Sequence, residues 1–421
     1  MRVLIVNTSE RTGGAAIAAN RLLHALNRNG IEARMLVRDR KSAAPDVANI
    51  PQSWRLKANF LWERGVIWLN NGLSRKNLFQ VDIANAGTDI THLDEFRQAD
   101  VIHLHWVNQG YLSLNNLERI FDSGKPVVIT LHDQWYFTGI CHYSGMCDKY
   151  QTQCEQCPMI KHGKGADLAR RVFDRKRAIY EGRNVTFVGC SRWMADLARQ
   201  SVLTQGHIVT NIPNAIDTDV FKPKDKAAAR KKFGLPADGQ LMLFGAQRIT
   251  DPRKGFSFLT EACEHISMHH PTLPSKLGVV VLGGDADADS VKSALTLPVY
   301  TVNYLSNETE IAELYNAVDL FVTPSLQDNL PNTIVEAMSC GVPCVGFNVG
   351  GIPEMIHHKQ DGYVADYCDS IDFALGISWC LNESRHAALC AAARTTALAT
   401  YAESVAAARY QAIYQSALSN H

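Results

Sequence analysis

Arg248 and Lys254 stand six residues apart on a loop that runs from Gly245 to Gly255, directly after the apolar run Leu241–Phe244. Pro252 bends that loop and Gly255 closes it. Two fixed cations at one strand end suit a diphosphate and would neutralise it without a divalent ion. The plainer reading is a solvated basic loop. Asp328 and Glu336 form a second pair, before and inside a helix that opens near Pro331. Glu336 sits in Ile334-Val-Glu-Ala-Met338. A carboxylate in such apolar company is costly unless it accepts hydrogen bonds, for example from the hydroxyls of a ribose. The alternative makes Asp328 a helix cap and Glu336 an exposed helix residue. Near the start of the chain, Gly13 and Gly14 open a helix. There, backbone N–H groups can approach an anion or a sugar, or simply make a tight turn. His132 closes an apolar run in Thr130-Leu-His-Asp133 and is either a site residue or a structural histidine.

Four cysteines, Cys141, Cys147, Cys154 and Cys157, crowd into seventeen residues after His132-Asp-Gln-Trp135. Four thiolates could hold a structural Zn²⁺ tetrahedrally and close a loop that has no core of its own. His142 is a further possible ligand. Only one pair has the two-residue spacing typical of zinc sites, so free thiols and disulfides stay open beside zinc. A third feature spans residues 54–79, where Trp and Phe interleave with Arg and Lys. Between 51 and 80 there are five cations and one acid. The stretch reads either as an interfacial helix on a membrane surface or as a helix packing its aromatics inward.

Strands and helices alternate almost throughout, which implies parallel sheets covered on both faces. Strands are expected at Val3–Val6, Ala33–Val37, Asp100–His105, Pro126–Leu131, Val185–Val188 and Ile208–Ile212. After a polar, proline-containing linker at 211–223, the alternation restarts at Leu241–Phe244, Gly278–Leu282, Val299–Val302, Leu320–Val322 and Val342–Gly346. The tail from Asp369 is Ala-rich and helical. This layout predicts an α/β chain of two Rossmann-like domains, residues 1–213 and 214–397. A C-terminal helix, 398–421, returns to the first domain. Ligands of such sheets sit beyond the carboxyl ends of the strands, where the residues above fall.

Composition narrows the function classes. The 421 residues carry 42 cations and 42 acids, and 46% are hydrophobic. Zero net charge argues against a bulk electrostatic nucleic-acid binder, and the apolar content argues against disorder. No apolar run is long enough to span a membrane, and the first strand is too short for a signal peptide. Seven of the eleven cysteines are scattered through strand and helix patterns, which suits a reducing cytoplasm. The zero is a cancellation: residues 1–213 hold 27 cations and 19 acids, and residues 214–421 hold 15 and 23. An electropositive first domain fits an anionic membrane face or a lipid diphosphate.

The segment Asp328…Glu336-Ala-x-x-x-Gly341-x-Pro343 resembles the signature of the retaining GT-B glycosyltransferases of family 4. The resemblance covers essentially the whole chain. Gly13-Gly14, His132, the linker residues Asn214, Ile216, Asp217 and Phe221, then Arg248, Lys254 and Gly350-Gly-Ile-Pro-Glu354 fall in the family's order. It implies two Rossmann-like domains facing a cleft, with transfer of a hexosyl unit from a nucleotide-diphosphate sugar and retention of configuration. Arg248 and Lys254 would hold the diphosphate, and Glu336 the ribose. Asp328 with the backbone at Asn329 and Leu330 would grip the donor sugar. His132 would lie by the reacting centre, and Gly13 and Gly14 would face donor phosphate or acceptor. No cofactor is required for this catalysis. Two departures stand out: Asp328 replaces the usual Glu, and Ala215 the usual Gly. The His-Asp-x-Trp and Cys-rich stretch resembles a branch that builds bacterial exopolysaccharide, which implies a glycan or lipid-diphosphate glycan acceptor at the inner membrane face. Epimerases, phosphorylases and non-catalytic sugar-binding relatives share the fold and are the alternatives.

Overall fold

Period-two alternation in the first strand sets the architecture of the amino-terminal half. Val3 and Ile5 point into one apolar core, and Leu4 and Val6 into another on the opposite face of the sheet. Both faces are therefore covered, as a parallel sheet requires. The computed structural model describes residues 1–161, 167–246, 249–269, 276–283 and 288–419. The chain divides into two units, Met1–Asn214 with Ala406–His421, and Ala215–Val405.

Among the described residues, the first unit holds seven parallel strands. They are β1 (Arg2–Ser9), β2 (Glu32–Asp39), β3 (Val47–Asn49), β4 (Val101–Leu104), β5 (Val127–Leu131), β6 (Val185–Gly189) and β7 (Ile208–Asn211). Their order is β3-β2-β1-β4-β5-β6-β7, so the order reverses between β1 and β4. β1 registers Val3 against Ala33 on one side and against Val101 on the other. The second unit holds β8 (Gln240–Gly245), β9 (Leu277–Leu282), β10 (Val299–Val302), β11 (Leu320–Thr323), β12 (Cys344–Phe347) and β13 (Gly362–Ala365). Their order, β10-β9-β8-β11-β12-β13, reverses between β8 and β11. Both reversals open a crevice at the carboxyl ends of the flanking strands.

Two strands are additional to the sequence reading. Val47–Asn49 is only three residues long, and Gly362–Ala365 opens on a glycine, so neither carries a β-branched run. The carboxyl-terminal region also differs. The helix Glu383–Tyr401 runs straight through position 398, and the final helix starts at Glu403. From Ala406 that helix belongs to the first unit, where Ala407, Tyr410 and Tyr414 pack with Val3 and Ile5. No helix of the described residues is long and apolar enough to cross a membrane.

Candidate functional site

In the second unit, three loops at the carboxyl ends of β8, β11 and β12 are stitched together. The turn Pro252–Lys254 is capped by Asp251, whose side chain accepts the Arg253 N–H at 3.0 Å. Gly255 then takes a left-handed conformation with φ of 67°. A Cβ there would lie 1.9 Å from the Pro324 carbonyl oxygen, so only glycine lets the basic loop approach the loop after β11. Leu326 N–H donates to the Arg253 carbonyl at 2.8 Å and locks the two. The third loop joins at Gly350, with φ of 58°, where a Cβ would lie 1.8 Å from the Asp328 carbonyl oxygen.

The result of this stitching is one contact. Lys254 Nζ donates to Asp328 Oδ2 at 3.0 Å, and the pair remains open to solvent, with 35% and 18% of the two side chains exposed. Asp328 is thus no helix cap, because the following helix, Asn332–Ser339, has Pro331 at its cap position and no capping side chain. Glu336 is no exposed helix residue either. It is buried at 6% exposure, and the Tyr315 hydroxyl donates to its Oε2 at 3.1 Å. Asn329 and Leu330, which follow Asp328, are both buried. Arg248 lies outside the described residues.

In the first unit, Gly13 precedes the helix Gly14–Arg28 with φ of 90°, a conformation that side chains rarely adopt, and nothing lies within 4 Å of where a Cβ would be. That leaves open space at the amino end of a 15-residue helix. His132 follows β5 and shares a hydrogen bond of 2.8 Å with His105 Nδ1 through its Nε2. Its Nδ1 faces Cys190 Sγ at 3.5 Å. Burial pushes His132 down to about 4 and His105 well below the ordinary histidine value, so both rings are neutral near pH 7. Below them His103 bonds the Tyr414 hydroxyl and Thr130 Oγ1, each at 2.7 Å. The final helix thereby braces the histidine column. Sequence reasoning missed His105 as a partner of His132. The available signal was His103-x-His105, two histidines that alternate at the end of a buried strand.

His142 differs from its expected part. Both of its ring nitrogens are taken: Nδ1 meets Asp133 Oδ2 at 2.7 Å and Nε2 meets Asp82 Oδ2 at 2.6 Å. It is therefore not available as a metal ligand. Burial disfavours its charge, but the two carboxylates outweigh that and raise it to about 10. Arg64 also bonds Asp82, and Trp106 Nε1 donates to Asp133 Oδ2 at 2.9 Å, so an ionic network runs under the His132 loop.

The four clustered cysteines all line one cavity of about 20 Å³, room for roughly a single water. Their thiols are free, and Gly139 N–H donates to Cys154 Sγ at 3.3 Å. Among the described residues no group of three or more His, Cys, Asp or Glu side chains is arranged to hold a metal ion. The four cysteines are thus gathered around one space. Burial pushes Cys141, Cys154 and Cys157 up to about 12, which keeps them as neutral thiols in this arrangement.

Two doubly covered parallel sheets, the second with cationic and acidic loops at its switch point, form two Rossmann-like domains, an architecture that glycosyltransferases share with other enzymes. Residues 12–220 match the family model "Glycosyltransferase Family 4", and residues 240–383 match "Glycosyl transferases group 1". The chain belongs to this family of group 1, family 4 glycosyltransferases. Among curated relatives, a D-inositol 3-phosphate glycosyltransferase of Thermobispora bispora is 29% identical over 219 residues, 50% of this chain and 51% of that one. One from Mycobacteroides abscessus is 33% identical over 171 residues, 37% of this chain and 36% of that one. The chain thus spans about half the length, or less, of the curated relatives it matches. Among solved structures, Anabaena HepE in complex with UDP and glucose has a TM-score of 0.63 at 16% identity, covering 99% of this chain and 100% of that one. Sucrose-phosphate synthase from Thermosynechococcus elongatus has a TM-score of 0.66 at 18% identity, with both chains covered in full.

Proposed function

We propose that the protein transfers a hexosyl unit from a nucleoside-diphosphate sugar to a polysaccharide or lipid-linked oligosaccharide, with retention of configuration. One observation carries the reading: Lys254 is held against Asp328 at the β8/β11 switch point, on a loop that only glycines 255 and 350 allow to close. A cation fixed there stabilises the charge that develops on a leaving diphosphate. In the proposed step the sugar C1–O bond to the β-phosphate breaks and the acceptor oxygen forms a new bond to C1 on the same face. The acceptor proton goes to the departing phosphate oxygen, so no covalent enzyme intermediate is required. Glu336, buried and oriented by Tyr315, receives the ribose hydroxyls. For His132 to hydrogen-bond the donor sugar, one of its present partners, His105 or Cys190, must give way. Lys254, with Arg248, supplies the positive charge in place of a divalent ion.

The HepE structure holds UDP and glucose, and UDP-glucose heads the panel of donors to be tried for that reason. The test incubates the protein with a panel of nucleotide sugars and a lipid-linked oligosaccharide, with D-inositol 3-phosphate as the contrasting acceptor. Proton NMR then reads the anomeric configuration of the product. Transfer to the lipid-linked glycan with the donor's configuration supports the reading, and an inverted product or transfer only to D-inositol 3-phosphate overturns it. An epimerase would give a sugar inverted at one ring carbon without joining it to any acceptor. A phosphorylase would need inorganic phosphate and give a sugar phosphate.

A further inference from the structure

The helix Trp54–Asn70 is inside out. Its buried positions are Leu56, Glu63, Arg64 and Ile67. Glu63 is wholly buried, accepting the N–H groups of Ile83 and Ala84 at 2.9 and 2.6 Å, and Arg64 pairs with buried Asp82. The charges of this helix that normally face water are thus used internally. Its outer face carries two rows at seven-residue spacing, which stay on one side of a helix: Trp54, Leu61, Trp68 and Arg55, Trp62, Leu69. Trp54 is 76% exposed, Trp62 63% and Leu69 60%. Beyond the helix, Leu73 and Phe79 are also exposed. The exposed charges of residues 51–80 are Arg55, Lys57, Arg75 and Lys76, and the one acid of that stretch is the buried Glu63.

We propose that this face docks on an anionic lipid bilayer. Tryptophan rings suit the headgroup boundary, where an apolar body and a polar N–H both find partners. Leucine and phenylalanine enter the acyl region, and the four cations meet lipid phosphates. A second copy of the chain is a poor occupant. A two-fold contact would lay this patch on itself and set four cations against four with no acid from the same stretch between them. The inference does not depend on the transfer reaction.

The test is co-sedimentation of the full chain with vesicles of phosphatidylglycerol and phosphatidylcholine, or of phosphatidylcholine alone, at low and high salt. Two double variants accompany it, W62S/L69S and R75E/K76E. Their substituted side chains are exposed, so circular dichroism melts should match the wild type. The wild type is expected to sediment with the anionic vesicles, less at high salt, and weakly with the neutral ones. Each variant is expected to lose binding by about tenfold or more. Three results would overturn the proposal: no binding to anionic vesicles, binding that neither variant changes, or a concentration-dependent dimer that W62S/L69S abolishes while vesicles stay unbound. Release of nucleotide from the donor in the absence of vesicles should be the same in W62S/L69S as in the wild type, which keeps this test separate from that of the reaction.

Discussion

Lys254 and Asp328 show how much a single pair of side chains depends on the backbone beneath it. Their 3.0 Å contact is solvent-open, so by itself it is worth little to stability. Its value lies in presenting an ammonium at a fixed place. If that ammonium, with Arg248, neutralises the leaving diphosphate, turnover should be indifferent to chelation. Addition of EDTA is expected to leave the initial rate unchanged, and a rate restored only by Mg²⁺ would count against the assignment. Glu336 makes a different prediction. Because it would bind the ribose in ground state and transition state alike, Glu336→Ala should raise KM for the donor by roughly tenfold or more with a smaller effect on kcat. An equal fall in kcat and kcat/KM would move Glu336 to the reacting centre. At this scale the sequence was informative about types and spacing but silent about partners. The apolar neighbours of Glu336 announced a buried carboxylate. Nothing local announced Tyr315, because the contact bridges 21 positions and two helices.

At the scale of elements, the loops matter more than the helices that follow them. Gly350→Ala adds a methyl group at φ of 58° against the Asp328 carbonyl, where nothing can yield without moving the signature loop. The variant is expected to lose at least about 2 kcal/mol of stability, and to lower transfer together with it. Urea unfolding and rate measurements on one preparation would check both. The network under the His132 loop makes a pH prediction. His142 stands at about 10 in the folded chain, above its ordinary value of about 6.5. A raised folded-state value means that its contribution is complete below the ordinary value and is lost as pH rises through about 10. His142→Gln should therefore cost roughly 3 kcal/mol near neutral pH and below. The gap from the wild type should close at strongly alkaline pH, and a gap that stays constant from acid to alkali would show that packing rather than charge is at stake. Most strands were legible, because Val and Ile runs are bounded by polar turns. The edge strand Val47–Asn49 and the strand Gly362–Ala365 were not, since each draws its order from a neighbouring strand rather than from its own residues.

For the whole molecule, the zero net charge conceals two differently charged regions, with 27 cations to 19 acids before residue 214 and 15 to 23 from there on. The chain's division at Asn214 falls at that change of sign. The surplus of the first region includes the exposed cations around the helix Trp54–Asn70, whereas the second is acidic apart from local patches such as the one at Lys254. The two-sheet organisation was readable from alternation alone. The return of the final helix to the first unit does not follow from the alternation, because a tail of alanines with interspersed tyrosines does not say which sheet it will meet. If a nucleoside diphosphate leaves its sugar at the β8/β11 switch point, Lys254 is the cation that stabilises it. The most direct measurement is nucleoside diphosphate released from a panel of nucleotide sugars, in the presence of glycan acceptor, by the wild type and by Lys254→Ala. The wild type should release nucleoside diphosphate from at least one donor, and the variant about a hundredfold less or lower still. No release from any donor, or equal release by the variant, would contradict that role of Lys254.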